Sequence, residues 1–268
     1  MKLTVLVDNN TYIDQYYWGE PALCILLETA DRTLLFDTGY SHAFLENSAK
    51  LGRSLADVDT IVLSHGHNDH TRGLLALAQT GLLAGKTVLA HPLCFQPKRL
   101  DGLDIGSPLT KEALAESCTL RLSATPVELT PDLTYLGEIP VTVPFEPRTP
   151  LGEYWDGAKW RPDMLRDDSA LVYHDKNGLF LITGCAHSGI CNLIAYAKRL
   201  FPDQPVRGIL GGFHLFDVDQ RLQDTITYFQ KEGIQQLYPC HCVSFQAKAA
   251  MHQTIPLHEV GVGLELNL

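Results

Sequence analysis

The residues best suited to chemistry in this chain form one short run, His65–His70, with the sequence His-Gly-His-Asn-Asp-His. Four of these six residues, three histidines and one aspartate, have side chains that bind transition metals. Imidazole and carboxylate together suit zinc, iron or manganese better than calcium or magnesium, which prefer oxygen ligands. A lone histidine is usually structural, but so dense a cluster is hard to explain by chance. The run therefore predicts a metal site.

The sequence on either side of this run indicates how its side chains are positioned. Residues 59–64 are mostly apolar or β-branched, which is typical of a buried strand. Residues 71–83 are rich in leucine and alanine, which favours a helix. His65 and His67 should then lie on one side at the end of the strand, because strand side chains alternate with a period of two. The other two candidate ligands fall at the turn into the helix.

The spacing His-x-His-x-Asp-His resembles the signature of the metallo-β-lactamase superfamily. Three further segments resemble motifs of that family and follow in the same order along the chain: Leu35–Gly39, Ile182–His187 and Tyr238–His241. The resemblance implies an α/β (α+β) fold of four layers, αββα, and one site with two divalent metal ions, zinc or alternatively iron or manganese. A length of 268 residues with 45% hydrophobic residues agrees with a single domain spanning residues 1–268.

The resemblance also implies a set of metal ligands, in which one ion takes the first two histidines and a later one. The other ion takes the aspartate, the third histidine and the histidine of the last motif. The implied ligands are His65, His67, Asp69, His70, His187 and His241. Asp69 is also the predicted catalytic residue, because it could hold the attacking water and carry its proton. Cys185 stands where the family commonly has a bridging carboxylate, so it is either a thiolate ligand or a buried, inert thiol.

Two more side chains have candidate roles near this site. His214 follows a strand and the pair Gly211-Gly212, which lets backbone or substrate approach closely. It is a candidate metal ligand, substrate contact or core histidine. Asp37 is expected to orient a ligand histidine rather than to bind metal itself, and this role is compatible with capping the turn that follows it.

Composition and charge restrict the expected partners. A net charge of −10 argues against a nucleic-acid partner, which would require a basic face. We find no run of roughly 20 apolar residues that could span a bilayer, so no membrane partner is expected. Seven cysteines without a secretion signal favour reduced thiols and a cytoplasmic location. Residues 144–168 lack periodicity but contain Trp155 and Trp160, which favours a lid loop over disorder.

The implied site determines the expected reaction. Two metals that share a water lower its pKa, give a hydroxide near neutral pH and polarise a carbonyl or phosphoryl oxygen of the substrate. The predicted function is therefore hydrolysis of a small ester, phosphodiester or lactone. Arg72, beside the signature, is either a contact for an anionic substrate or a solvated side chain.

An alternative comes from a narrower resemblance. Asp167–Leu171, Thr183–Ile190 and Gly211–Leu215 resemble the branch that includes the archaeal 7,8-dihydropterin-6-methyl-4-(β-D-ribofuranosyl)aminobenzene-5′-phosphate synthase. That branch implies a pterin-type transferase, which joins a dihydropterin methyl diphosphate to an aminobenzene ribosyl phosphate. Trp155 and Trp160 could then stack on a flat heterocycle or simply pack within the lid. A third hypothesis is a sensor that binds metal and ligand without turnover.

Overall fold

Two mixed β-sheets organise the chain, and each changes from antiparallel to parallel pairing part-way across. The computed structural model describes all 268 residues. They form two compact units, the first made of residues 1–124, 150–167 and 261–268 and the second of residues 125–149 and 168–260. The single-domain assignment over residues 1–268 stays a prediction.

The first unit is built on a seven-stranded sheet. Its strands are β1 (Lys2–Val7), β2 (Cys24–Glu28), β3 (Thr33–Phe36), β4 (Thr60–Val62), β5 (Thr87–Ala90), β8 (Thr119–Leu122) and β17 (Glu265–Asn267). They lie in the order β17-β1-β2-β3-β4-β5-β8, with antiparallel pairs up to β3 and parallel pairs from β3 onward. The carboxyl ends of β3, β4 and β5 therefore meet at one edge, where side chains from separate parts of the sequence come together.

Four helices and a small sheet complete this unit. The helices are α1 (Ala43–Lys50), α2 (Asn68–Thr71), α3 (Gly73–Gln79) and α4 (Lys111–Ala115). The small sheet has the strands β6 (Lys98–Leu100), β7 (Leu103–Asp104), β11 (Glu153–Trp155) and β12 (Trp160–Pro162), in the order β12-β11-β6-β7. Phe44 of α1 and Leu74 of α3 share a buried core with Leu35, Ile61 and Val88 of the large sheet. This burial holds the helix after the signature against the sheet.

The second unit contains a six-stranded sheet and three helices. Its strands are β9 (Val127–Thr130), β10 (Leu133–Tyr135), β13 (Ala170–Asp175), β14 (Gly178–Thr183), β15 (Val206–Gly211) and β16 (Gln236–Pro239). They lie in the order β16-β15-β14-β13-β10-β9, and only β14, β15 and β16 are parallel. The helices are α5 (Ile190–Leu200), α6 (Gln220–Glu232) and α7 (Phe245–His252), whose apolar faces share the core of this unit.

Part of the segment from residue 141 to residue 168 differs from the sequence-based expectation. Residues 141–143 form no strand, and the N–H groups of Thr142 and Val143 donate instead to Oδ1 of Asn192 at 2.6 and 2.7 Å. The following stretch is not one irregular loop either, because it contains β11 and β12 of the small sheet. Short strands paired with distant partners leave little periodicity in the sequence. A lid role for residues 144–168 stays a prediction.

None of the helices is long and apolar enough to cross a membrane.

Candidate metal centre

Asp37 organises the polar cluster at the end of β3. Its backbone has a φ of +57° and its side chain is fully buried. One carboxylate oxygen, Oδ1, accepts a hydrogen bond from the N–H of Ser64 at 2.7 Å. The other, Oδ2, lies 2.7 Å from both the hydroxyl of Ser64 and Nδ1 of His70. A single carboxylate therefore fixes the chain after β4 and one histidine of the signature, which is the contact expected from the sequence.

This network determines which nitrogens of two histidines carry protons. A carboxylate only accepts hydrogen bonds, so the Ser64 hydroxyl and Nδ1 of His70 must both donate to Asp37. The Ser64 hydroxyl has then used its hydrogen, and it accepts from Nδ1 of His65 at 2.9 Å. Both histidines consequently carry a proton on Nδ1, which in the neutral ring leaves the lone pair on Nε2. This is the tautomer that a metal bound through Nε2 requires.

His67 presents its donor atom to the same point as His65. Its Nδ1 lies 3.0 Å from Nε2 of His65, and the two rings meet edge to face at 4.6 Å. Two nitrogen ligands of one tetrahedral zinc are separated by roughly 3.3 Å, as follows from zinc–nitrogen bonds of about 2.0–2.1 Å. Burial lowers the pKa of His67 to about 4, so its ring is neutral at pH 7 and able to act as a ligand.

Asp69 and His70 form the other part of the signature, within α2. Oδ2 of Asp69 lies 3.5 Å from Nε2 of His70, and the Asp69 side chain is 28% exposed while that of His70 is fully buried. The His70 carbonyl accepts hydrogen bonds from the N–H and the hydroxyl of Thr38, at 2.8 and 2.9 Å. His70 is therefore held through both its ring and its backbone, whereas solvent can reach the Asp69 carboxylate.

The loop that carries His65 and His67 rests on a buried ion cluster that sequence reasoning missed. The N–H of Gly66 donates to Oδ2 of Asp167 at 2.8 Å, and the ammonium of Lys98 binds Oδ1 of Asp167 at 3.1 Å and Asp163 at 2.5 Å. Burial acts to lower the pKa of Lys98, but the two carboxylates raise it above its usual value, so the side chain is charged. The sequence signal for this cluster is Asp167, because it lies in the motif Asp167–Leu171.

In the second unit, the candidate residues follow the three parallel strands. Cys185 and His187 follow β14, His214 follows β15 and His241 follows β16. Left-handed backbone recurs at these positions, with φ of +51° at Ala186, +49° at His214 and +51° at His241. Such conformations are unfavourable for residues other than glycine and cluster at functional sites.

Contacts within this unit bring several of these residues together. The rings of His187 and His214 are 4.4 Å apart, and His214 also meets the ring of Phe216 edge to face at 4.8 Å. The Cys185 side chain is buried, and its carbonyl lies 3.7 Å from the sulfur of Cys242. His214 is thus a neighbour of His187, while its role as ligand, substrate contact or core residue stays a prediction.

A second aspartate anchors the loop after His187. Oδ2 of Asp168 accepts hydrogen bonds from both the N–H of Ser188, at 2.9 Å, and the Ser188 hydroxyl. The helix that follows is capped by the buried Glu146, whose Oε2 accepts from the N–H groups of Cys191 and Asn192 at 2.9 and 3.0 Å. The backbone on the carboxyl-terminal side of His187 is therefore rigidly supported.

The donor atoms of these residues suit a transition metal. Imidazole nitrogen, carboxylate oxygen and thiolate sulfur are the ligands that zinc binds in proteins. Histidine and cysteine side chains that could hold a metal ion occur in both units, and they are His65, His70, Cys185, His187 and His241. The residues of the chain therefore fit a divalent metal of this class.

Comparison with known proteins agrees with this chemistry. Residues 17–202 match the family model described as the metallo-β-lactamase superfamily. The chain belongs to the metallo-β-lactamase superfamily. The resemblance seen in the sequence is thereby confirmed. A crystal structure described as a metal-dependent hydrolase of the β-lactamase superfamily, Tm1679, has 26% identity and a TM-score of 0.86, over 100% of this chain and 99% of that one. The predicted fold class is confirmed as well.

Two curated proteins of Methanocaldococcus jannaschii are similar over most of their length. One is an uncharacterized protein, MJ0448, which is 32% identical over 94% of this chain and 94% of its own. The other is 27% identical over 92% of this chain and 89% of its own, and is named 7,8-dihydropterin-6-methyl-4-(β-D-ribofuranosyl)-aminobenzene-5′-phosphate synthase. This superfamily member thus resembles both a protein described as a hydrolase and one named as a synthase.

Proposed function

We propose that this protein is a hydrolase that uses two divalent metal ions, with zinc as the first candidate, to cleave a small ester, phosphodiester or lactone. The observation that carries the proposal is the network of Asp37, which sets the Nε2 lone pairs of His65 and His70 for metal binding. The proposed ligands are His65, His67 and His187 for one ion and Asp69, His70 and His241 for the other.

When bound, the ions would lower the pKa of a water molecule and polarise the substrate oxygen that develops charge. The side chains of the protein position the reacting groups and move protons. Asp69 combines a place beside His70 with access to solvent, so its carboxylate can orient the attacking water and accept its proton. His214, with the exposed ring of Phe216 beside it, is proposed to contact the substrate.

The proposed substrate is a small molecule, in keeping with the chain's acidic charge. Arg72 is exposed, donates a hydrogen bond to the hydroxyl of Tyr40 at 2.7 Å and lies over the Tyr40 ring. Its guanidinium is thereby held in one orientation at the surface and could bind an anionic group of the substrate.

The first test is the metal content per chain after purification without chelator or nickel affinity resin. Two equivalents of zinc, iron or manganese, with hydrolysis of p-nitrophenyl esters, bis(p-nitrophenyl) phosphate or lactones, would support the proposal. His67→Ala and Asp69→Ala should lose metal and activity and remain folded. A matched control is His91→Ala, which also removes a buried imidazole but lies outside the signature. A wild-type chain that binds no metal would refute the proposal.

A pterin-type transferase is the second candidate, because a relative that is 27% identical over nearly the whole chain is named as the synthase. The two tryptophans suggested for heterocycle stacking contact each other, with Trp155 and Trp160 at 5.6 Å and the Arg99 guanidinium 4.1 Å from the Trp160 ring centre. The contact between the two rings and the Arg99 guanidinium therefore already cover part of their aromatic surface, which does not favour stacking there. Pyrophosphate release that depends on adding an aminobenzene ribosyl phosphate would favour the transferase over the hydrolase.

A further inference from the structure

The buried ion cluster that contacts the signature loop has features that structural support alone does not explain. Lys98, Asp163 and Asp167 are 2, 5 and 1% exposed, so one cation and two anions lie in the interior with a net charge of −1. Clusters of this kind are costly to bury, and replacing them by apolar residues often stabilises a protein. Its presence directly under the His65–His67 loop therefore suggests a role other than stability.

We propose that Asp167 is the positioning residue for the His65–His67 pair, and that Lys98 holds Asp167 in place for this role. The inference rests on the metal site proposed above. Asp167 uses one carboxylate oxygen on Lys98 and the other on the N–H of Gly66, the residue between the two histidines. A shift of this carboxylate moves the peptide that joins the two ligands.

The Cα atom of Gly66 is also closely packed. A Cβ atom at this position would lie 2.0 Å from the carbonyl oxygen of Cys94 and 3.0 Å from Cε of Lys98. The loop is thus held both by close packing at Gly66 and by the Asp167 hydrogen bond. Without that hydrogen bond, the Gly66 peptide would lose its polar anchor, and the 3.0 Å separation of Nε2 of His65 and Nδ1 of His67 would change.

The chain contains a matched control for this idea. Asp163 binds the same ammonium with one oxygen and, with the other, accepts a hydrogen bond at 2.8 Å from the N–H of Leu165. Asp163→Asn and Asp167→Asn therefore remove the same charge from the same cluster, and both leave an amide with one acceptor oxygen for two donors. They differ in which backbone they release, because only Asp167 contacts the histidine loop.

The test is zinc affinity of the full-length chain, measured by competition with a chromophoric chelator, together with the visible absorption of the cobalt-loaded protein. Asp167→Asn should weaken the binding of one ion roughly 10–100-fold, which is the usual effect of losing a hydrogen bond that orients the metal ligands. It should also change the cobalt spectrum. Asp163→Asn should lower thermal stability comparably but leave affinity and spectrum near those of the wild type. If Asp167→Asn does not fold, Asp167→Glu, which keeps the charge opposite Lys98, should show the same loss.

The outcomes separate this inference from the proposed function. Equal zinc affinities for wild type and the Asp167 variant would overturn the positioning role, as would equal losses in the Asp163 and Asp167 variants. Both results leave a wild-type chain that binds metal, so the proposed function would stand. A wild-type chain that binds no metal in the same titration would instead refute the proposed function and, with it, this inference.

Discussion

Replacing Asp37 by asparagine should invert the proton arrangement of two histidines at once. The N–H of Ser64 would keep the asparagine oxygen in the place of Oδ1. The amide NH2 group would then replace Oδ2, opposite the Ser64 hydroxyl and Nδ1 of His70. To satisfy it, His70 must accept on Nδ1, and the Ser64 hydroxyl must turn to donate to Nδ1 of His65. Both histidines would then carry their proton on Nε2, the atom proposed to bind metal.

The size of the effect follows from the cost of restoring the metal-binding tautomers. Each histidine would have to leave one buried donor without an acceptor, which costs about 1.5 kcal/mol, within the usual range for such groups. At 25 °C this corresponds to roughly tenfold weaker binding for the ion that each histidine holds. Because His65 and His70 are proposed to bind different ions, both affinities should fall, whereas Asp167→Asn should affect only one.

The assay combines a zinc titration at pH 7.5 with long-range ¹H–¹⁵N NMR spectra of the histidine rings in the metal-free protein. The wild type should show Nδ1–H for His65 and His70, and Asp37→Asn should show Nε2–H. Asp163→Asn serves as a control, because the hydrogen bonds of this buried aspartate go to Lys98 and to the N–H of Leu165 and not to either ring. Unchanged tautomers and unchanged affinities in Asp37→Asn would refute the reasoning.

Two further predictions concern protons. The first tests whether Cys185 is a thiolate ligand by calorimetric titration with zinc at pH 7 in buffers of different ionisation enthalpy. Zinc binding to the wild type should release about one more proton than binding to Cys185→Ala, because an ordinary thiol has a pKa of about 8.5 and is protonated at pH 7. Equal proton release would show that Cys185 does not bind the metal. The depressed pKa of His67, about 4 against about 6.5 in the unfolded chain, means that the unfolded state binds more protons between these values. The free energy of unfolding of the metal-free protein should therefore fall by about 2 kcal/mol from pH 7 to pH 5, and denaturant titrations should show a smaller fall in His67→Ala.

The sequence predicted the parts of the molecule that follow from local pattern. The strand before the signature and a helix after it were expected, because β-branched residues mark the one and leucine and alanine the other. Asp37 contacts Nδ1 of His70 at 2.7 Å, and its predicted role in orienting a ligand histidine stays a prediction.

What the sequence did not reveal depends on contacts between distant positions. Lys98 binds Asp163 and Asp167, which follow it in the sequence by 65 and 69 positions. Gly66 binds Asp167, which follows it by 101 positions. No short stretch of sequence therefore contains both partners of any of these contacts. The same reason explains the small sheet, where β6 pairs with β11. The left-handed backbone at Ala186 has no sequence signal either, because alanine is not a residue that favours it.

Asp167 and Asp168 are consecutive, yet they serve different loops, one holding Gly66 in the first unit and the other holding Ser188 in the second. Each carboxylate makes these hydrogen bonds within its own unit, so the loop that carries two signature histidines and the loop that follows His187 are held by separate contacts. A substitution at one of the two aspartates therefore releases one loop and leaves the hydrogen bonds of the other in place.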